Sequence, residues 1–131
     1  MQTNGYRREL ALRNAISIGL ECSNPDLFRD NENFIINRWG DPSGWASAEM
    51  LEENQYFFLE HKYVVGYLIL TIGKILEMCG KEEEKKEIKK YLKQLDATQE
   101  DEKILKIMDT IIDKHLSIEN GSLEELRGCC K

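Results

Sequence analysis

The chain has 131 residues, of which 41 % are hydrophobic and 32 % are charged, and its formal net charge at pH 7 is −6. This length and balance predict one globular domain spanning residues 1–131 and exclude a disordered chain. The negative charge argues against general nucleic-acid binding, because proteins that neutralise phosphates need an excess of Lys and Arg. Two prolines and long runs of Glu, Lys, Leu and Ile favour helix, so we expect an all-α fold.

The N-terminal region predicts an apolar helix over about residues 6–21, with Asn4 as a candidate cap. Ala11, Ala15 and Gly19 recur at every fourth position, and small residues at this spacing permit a close crossing with another helix. We therefore expect this helix to be buried against the central helix of the fold.

Residues 22–46 carry the weakest helical pattern and end in a segment with strong turn chemistry, Trp-Gly-Asp-Pro-Ser-Gly-Trp at 39–45. The two tryptophans either cap one end of the bundle or belong to a binding loop, since aromatic side chains on structured loops suit recognition. For a binding loop, the candidate partner contacts are Arg38, Trp39, Asp41 and Trp45.

Residues 47–80 form the longest and most apolar helical pattern, and we predict that the bundle is built around this central helix. Its uncharged run covers only residues 63–73, whereas a membrane span needs about 20 consecutive apolar residues, so we interpret it as a core helix. Gly66 and Gly73 are seven residues apart and share a face, which predicts the close approach of another helix. Gly80 is the predicted end of the helix.

One stripe of the central helix is polar and aromatic. Its members are Glu49, Glu53, Tyr56, Glu60, Tyr63 or Tyr67, Thr71 and Lys74. We interpret the stripe as the solvated edge of a core helix. The alternative is a groove lined by carboxylates and phenols.

Three further helices are predicted in the C-terminal part of the chain. Residues 81–95 are amphipathic, with acidic residues first and lysines last, which matches the helix dipole. Thr98 opens a capping box for a helix that reaches about residue 117, and Ser122 opens a second one for a short last helix. With the first two helices, this gives a compact bundle of about five.

The four cysteines form no C-x-x-C pair and no zinc-ligand spacing. The first residues lack the apolar core of an export signal, so we predict a cytoplasmic protein with reduced thiols. Cys79 is then expected in the core as a small hydrophobic side chain. The neighbouring Cys129 and Cys130 are interpreted as an incidental pair and not as a redox site.

The sequence contains no phosphate-binding loop, dinucleotide fingerprint or nucleophile elbow. His61 and His115 have no metal-binding partner at helical spacing, so we predict structural roles for both. A joint site for the two histidines would require that the fold bring them together.

A carboxylate-bound metal is the remaining enzymatic possibility. Glu49 and Glu52 have the E-x-x-E spacing of all-α nucleotide pyrophosphohydrolases of the MazG type, but Tyr63 stands where the second pair of that family requires Asp. We therefore assign no family. A magnesium site formed by Glu49, Glu52, Glu53 and Glu60 is kept as an alternative.

By elimination, the predicted function is interaction and not catalysis. We expect a small acidic accessory module, bacterial or phage in type, that binds another protein and turns an acidic end toward a basic, nucleic-acid-binding partner. No cofactor, membrane contact or direct nucleic-acid contact is predicted. The alternatives are a metal-dependent all-α nucleotide hydrolase and a homo-oligomeric module packed through Gly66 and Gly73.

Overall fold

The fold is all-α. The structure is a computed structural model and describes residues 4–22, 30–31, 33–34, 37–38 and 61–129. Of these residues 84 % are helical and none lies in a strand. Five helices have described bounds: α1 (Asn4–Glu21), α2 (His61–Met78), α3 (Glu82–Asp96), α4 (Asp101–His115) and α5 (Ser122–Gly128). The described residues at 30–31, 33–34 and 37–38 are helical as well.

Helix α2 is the centre of the bundle, as predicted, because it packs against each of the other four helices. Every residue from 63 to 73 is buried, so the helix is covered around its whole circumference there. Full burial of one Val, Leu or Ile side chain stabilises a fold by about 1.5–3 kcal/mol, which makes this segment the main source of core stability. Within the described part of the chain, no helix has both the length and the apolar character that crossing a bilayer requires.

Helix α4 shares the central position, since it also contacts every other described helix. Helix α1 packs on both α2 and α4, which confirms its predicted burial, and Ala11 and Ala15 lie in the core. Arg8 joins α1 to Asp109 of α4 through two bonds of 2.8 Å. Arg7 pairs with Asp113 one turn further along α4.

The polar stripe of α2 is not a solvated edge over its described part. Tyr63, Tyr67 and Thr71 are only 7 %, 0 % and 0 % exposed, so that interpretation is wrong for them. The Nδ2 of Asn31, itself buried, donates a hydrogen bond of 3.1 Å to Oγ1 of Thr71. Lys74 alone is half-buried, beside Glu77 at 3.6 Å. Glu49, Glu53, Tyr56 and Glu60 lie outside the described residues.

Helix α3 packs over Gly73 of α2, in agreement with the prediction that another helix lies on this face. A Cβ atom at this position would lie 3.7 Å from Cε of Lys89 and 3.9 Å from Cγ2 of Ile88. Gly66 is buried as well. The face that we assigned to a second copy of the chain is therefore covered by α3 at Gly73. Whether the chain forms a homo-oligomer is not tested by this packing, and homo-oligomerisation stays a prediction.

The end of α2 is set by Gly80, which adopts a left-handed φ of 74°. Its N–H donates to the carbonyl of Glu77 at 3.0 Å, and the N–H of Lys81 donates to the carbonyl of Leu76 at 2.9 Å. These two bonds form a Schellman motif, which satisfies carbonyls at the helix end and needs a residue that tolerates positive φ. The predicted helix end is confirmed.

The two predicted capping boxes are wrong. Helix α4 begins at Asp101 with Glu100 before it, and Glu100 makes no side-chain cap. The hydroxyl of Thr98 instead donates to the carbonyl of Gln94, at the end of α3. Helix α5 is preceded by Gly121, and its first residue, Ser122, bonds Ser117. In both cases the hydroxyl is hydrogen-bonded to backbone groups outside the expected cap.

Candidate functional site

A groove runs between α3 and α4, and we call it the α3–α4 groove. The four-residue connection between these helices makes them antiparallel neighbours, so their side chains form its two walls. The volume is about 480 Å³. The described lining residues are Tyr91, Gln94, Ala97, Thr98, Lys103, Lys106, Ile107 and Thr110.

The base of the α3–α4 groove is apolar, because Ile107 is buried in it and Tyr91 is half-buried against the core. The hydroxyl of Thr98 donates to Gln94 O at 2.9 Å, and that of Thr110 donates to Lys106 O at 3.0 Å. Both hydroxyl hydrogens are therefore already hydrogen-bonded to backbone carbonyls. A ligand would meet mostly hydrocarbon here.

The edge of the α3–α4 groove is positively charged. Lys103 and Lys106 both line it, and none of its described lining residues is acidic. Lys103 lies 3.6 Å from Glu100, whereas Lys106 has no carboxylate partner among the described residues. An apolar base with cations at the edge suits an amphipathic ligand that carries negative charge.

A second concave site lies where the ends of α2, α3, α4 and α5 meet, and we call it the His115 cleft. Its volume is about 260 Å³. The described lining residues are Leu76, Lys81, Glu84, Glu87, Lys114, His115, Ser122, Glu125 and Leu126. Charges of both signs converge here, and Lys114 pairs with Glu87.

His115 is the perturbed titratable group of this cleft. Burial lowers its pKa below the ordinary value of 6.5, because desolvation disfavours the charged imidazolium. The carboxylate of Glu84 acts in the opposite direction, while the ammonium groups of Lys114 and Lys81 lower the pKa further. The imidazole is therefore neutral at neutral pH and is able to accept a proton or a hydrogen bond.

The hydroxyl group that lines the cleft, that of Ser122, is not positioned as a nucleophile that His115 could deprotonate. The hydroxyl of Ser122 donates to Ser117 O at 3.3 Å and accepts from Ser117 N at 3.0 Å, so it fastens the turn before α5. Among the described residues, no three His, Cys, Asp or Glu side chains are grouped so as to hold a metal ion.

The two histidines do not form a joint site. Helix α2 begins at His61, and Leu76, which lines the His115 cleft, follows fifteen residues later. A helix of that length extends about 22 Å, so His61 and His115 belong to opposite ends of the bundle. The alternative metal site at Glu49, Glu52, Glu53 and Glu60 lies outside the described residues and stays a prediction.

The prediction of reduced thiols is wrong for this structure. Cys79, just after α2, is joined by a disulfide to Cys129, just after α5, with a Cα–Cα distance of 4.9 Å. Both residues are half-buried, so Cys79 is not the core residue that we predicted. Cys22 is disulfide-bonded too. The predicted central helix has Cys79 near its end, and Cys129 follows the start of the predicted last helix, but spacing alone does not show that these helix ends meet.

Arg38 is the predicted partner contact that the structure describes. Its Nε donates to Oδ1 of Asp96 at 2.9 Å, its Nη2 pairs with Oδ2, and its guanidinium lies 5.3 Å from the centre of the Phe34 ring. Lys62 also reaches the Asp96 carbonyl, at 3.4 Å. Arg38 therefore fastens its segment to the end of α3, beside the α3–α4 groove. Trp39, Asp41 and Trp45 lie outside the described residues.

Comparison with known proteins adds no functional assignment. No protein-family model, curated protein or solved structure matches this chain. Function is therefore inferred from the residues and contacts of this chain alone.

Proposed function

We propose that this chain is a non-catalytic binding module whose α3–α4 groove receives an acidic amphipathic helix from a partner protein. The observation that carries the proposal is the groove itself, with its apolar base at Tyr91 and Ile107 and its two lysines at the edge. In helix-in-groove recognition an amphipathic helix lays its apolar face into a hydrophobic groove, and this groove lies between two helices and has an apolar base. The helix hairpin that frames it is held by the core.

The base and the edge of the α3–α4 groove are expected to contribute differently to binding. Apolar side chains of the partner at positions i, i+3 or i+4 and i+7 would pack on the groove base and supply most of the affinity. Surface ion pairs to Lys103 and Lys106 contribute about 0–1 kcal/mol each. Their larger effect is selection, because a basic helix would place like charges at the edge.

The test uses a synthetic helical probe. A fluorescein-labelled peptide of about 18 residues, roughly five helical turns, carries leucines on one face and glutamates on both flanks. A second peptide replaces every glutamate with lysine. Fluorescence anisotropy should show binding of the acidic peptide alone, and equal binding of the two peptides would overturn the proposal.

Two variants locate the binding. Lys106→Glu should weaken binding of the acidic peptide about fivefold, which corresponds to roughly 1 kcal/mol. Lys86→Glu is the matched control, since Lys86 is an exposed α3 lysine that does not line the groove. If the two variants weaken binding equally, the effect is one of net charge and the groove is not the site.

A second contact is proposed from the sequence. Trp39, Asp41 and Trp45 follow Arg38, and we propose that this acidic, aromatic segment engages a basic surface of a nucleic-acid-binding protein in the cytoplasm. The pair of Arg38 with Asp96 supports this, because it holds the residue that precedes the segment in the sequence. Trp45→Ala and Asp41→Lys should each weaken capture of such a partner, and binding unchanged within about twofold in both variants would contradict the placement.

A further inference from the structure

The Cys79–Cys129 disulfide connects two walls of the His115 cleft. Cys79 lies three residues after Leu76, and Cys129 lies three residues after Leu126, and both leucines line the cleft. The bond therefore links the end of α2 to the end of α5 beside this opening. It spans 50 residues of sequence.

We infer that Cys79–Cys129 is a reversible thiol–disulfide exchange site, and that its oxidised form holds α5 closed over the His115 cleft. The co-reactant is a dithiol, either a small molecule or a dithiol oxidoreductase. This goes beyond the proposed groove function, because it concerns the opposite end of the α3–α4 hairpin.

Accessibility supports exchange. Both cysteines are half-buried, whereas a disulfide enclosed in the core would require unfolding before a thiolate could reach it. The carbonyl of Glu125 lies 3.6 Å from Sγ of Cys129. After reduction, this carbonyl is positioned to accept the hydrogen of the Cys129 thiol, so the reduced side chain has a partner in the same place.

The reaction balances as a two-electron exchange. A thiolate of the dithiol attacks one sulfur of the disulfide, the S–S bond breaks, and a mixed disulfide forms. The second thiol of the reductant then displaces the protein sulfur and closes the reductant's own disulfide. Cys79 and Cys129 together gain two electrons and two protons, and oxidation by a disulfide reverses each step.

Reduction of the disulfide loosens α5 more than any other described helix. Helix α5 has seven residues, and helices this short are not stable without external contacts. Leu123 and Leu126 are the side chains that bury it in the core. Among the described residues, this packing and the local turn are what hold α5 once the disulfide is reduced, so the cleft wall formed by Ser122, Glu125 and Leu126 becomes free to open.

The first measurement is the assignment of the bond in the full chain purified without reductant. Tryptic peptides 75–81 and 128–131 should be recovered in one cross-linked species, with or without the peptide that contains Cys22, which is disulfide-bonded too. Because the second peptide contains both Cys129 and Cys130, the cross-link is also mapped in Cys130→Ser and in Cys129→Ser. A link that persists in Cys129→Ser and disappears in Cys130→Ser overturns the inference.

The second measurement follows reduction by dithiothreitol with alkylation, circular dichroism and hydrogen exchange. We expect Cys79 and Cys129 to become alkylated while helicity is retained, and amides of residues 122–129 to exchange about tenfold faster than before, with α2 and α3 unchanged. Cys79→Ser should reproduce the fast exchange without reductant. Alkylation that occurs only with global unfolding, or unchanged exchange over 122–129 after reduction, overturns the inference.

Discussion

The guanidinium of Arg8 and the carboxylate of Asp109 form a bidentate pair between α1 and α4, with both nitrogen–oxygen distances at 2.8 Å and the two residues 101 positions apart in the sequence. The two side chains are 22 % and 30 % exposed. The hydrogen bonds to Asp109 raise the pKa of Arg8, so the pair stays charged on the arginine side at every accessible pH. Bidentate geometry with partial burial makes this pair stronger than an ordinary surface ion pair.

We predict a coupling energy of about 1–2 kcal/mol for Arg8 and Asp109 in a double-mutant cycle with Arg8→Ala and Asp109→Ala. The measurement is urea unfolding of the four chains. Arg127 and Glu124 provide the control, because they are neighbours on one exposed helix face and should couple by only about 0.3–0.5 kcal/mol. Equal coupling in the two cycles would show that α1 is not held by this pair.

The buried hydrogen bond between Asn31 and Thr71 gives a second prediction. Thr71→Val keeps the side-chain shape but leaves the Asn31 amide without this acceptor, and we expect a loss of about 1–3 kcal/mol in the free energy of unfolding. Thr110→Val is the same substitution on an exposed helix face and should stay within about 0.5 kcal/mol of the natural chain. If Thr71→Val left the free energy of unfolding unchanged, this result would contradict the buried contact.

Two substitutions of Gly73 should change the free energy of unfolding in opposite directions. Its absent Cβ would sit in ordinary van der Waals contact with α3, so Gly73→Ala should stabilise the fold by about 0.5–1 kcal/mol through higher helix propensity. Gly73→Leu has no space between the two helices and should cost about 1–3 kcal/mol. Urea midpoints measure both effects, and a leucine tolerated as well as alanine would mean that α3 is not seated on this face.

The Cys79–Cys129 bond should contribute strongly to global stability when oxidised. A disulfide that closes a loop of this length stabilises by roughly 4 kcal/mol in the chain-entropy description. Cys79→Ser and Cys129→Ser should each remove this contribution, and the double variant should cost no more than either single one, since all three lose the same bond. The comparison is made by denaturant unfolding in the absence of thiols, and additive losses would be inconsistent with a shared bond.

His115 predicts the pH dependence of stability. Its folded pKa is lowered by burial, so near and below the ordinary value of 6.5 the unfolded chain binds more protons than the folded one. The contribution of the neutral imidazole is therefore complete above that value and is lost as the pH falls toward the folded pKa. His115→Gln should flatten the stability curve between about pH 7 and about pH 5, where most carboxylates are still ionised. If stability depended on pH equally steeply in His115→Gln, titration of other groups would account for the pH dependence.

Sequence patterns predicted the centre of the fold better than its connections. The density of apolar residues in α2 predicted a helix covered on all sides, and Gly80 predicted its end, because both are local properties. The burial of Tyr67 was missed, since a phenol in a polar stripe is equally compatible with a solvated edge. Thr98 was assigned to the wrong helix, because its hydroxyl can reach acceptors on either side.

The candidate sites depend on tertiary placement. Nothing in the local pattern of Tyr91, Lys103 or Lys106 shows that they face one another, and that relation appears only when α3 and α4 pack as neighbours. The pairing of Cys79 with Cys129 likewise requires the ends of α2 and α5 to meet. Residue types were therefore informative about which groups are reactive or charged, but not about which of them share a surface.

The docking of α1 on α2 and α4 has a consequence for biosynthesis. The partners of Arg7 and Arg8 lie 106 and 101 residues later in the chain, so α1 cannot complete its packing until α4 has left the ribosome. Until then the apolar face with Leu12 and Ile16 lacks the part of its native cover that α4 provides. Chains of this kind expose hydrophobic surface during translation, and we expect the nascent N-terminal segment to depend on ribosome-associated chaperones more than the helical hairpin formed by α3 and α4 does.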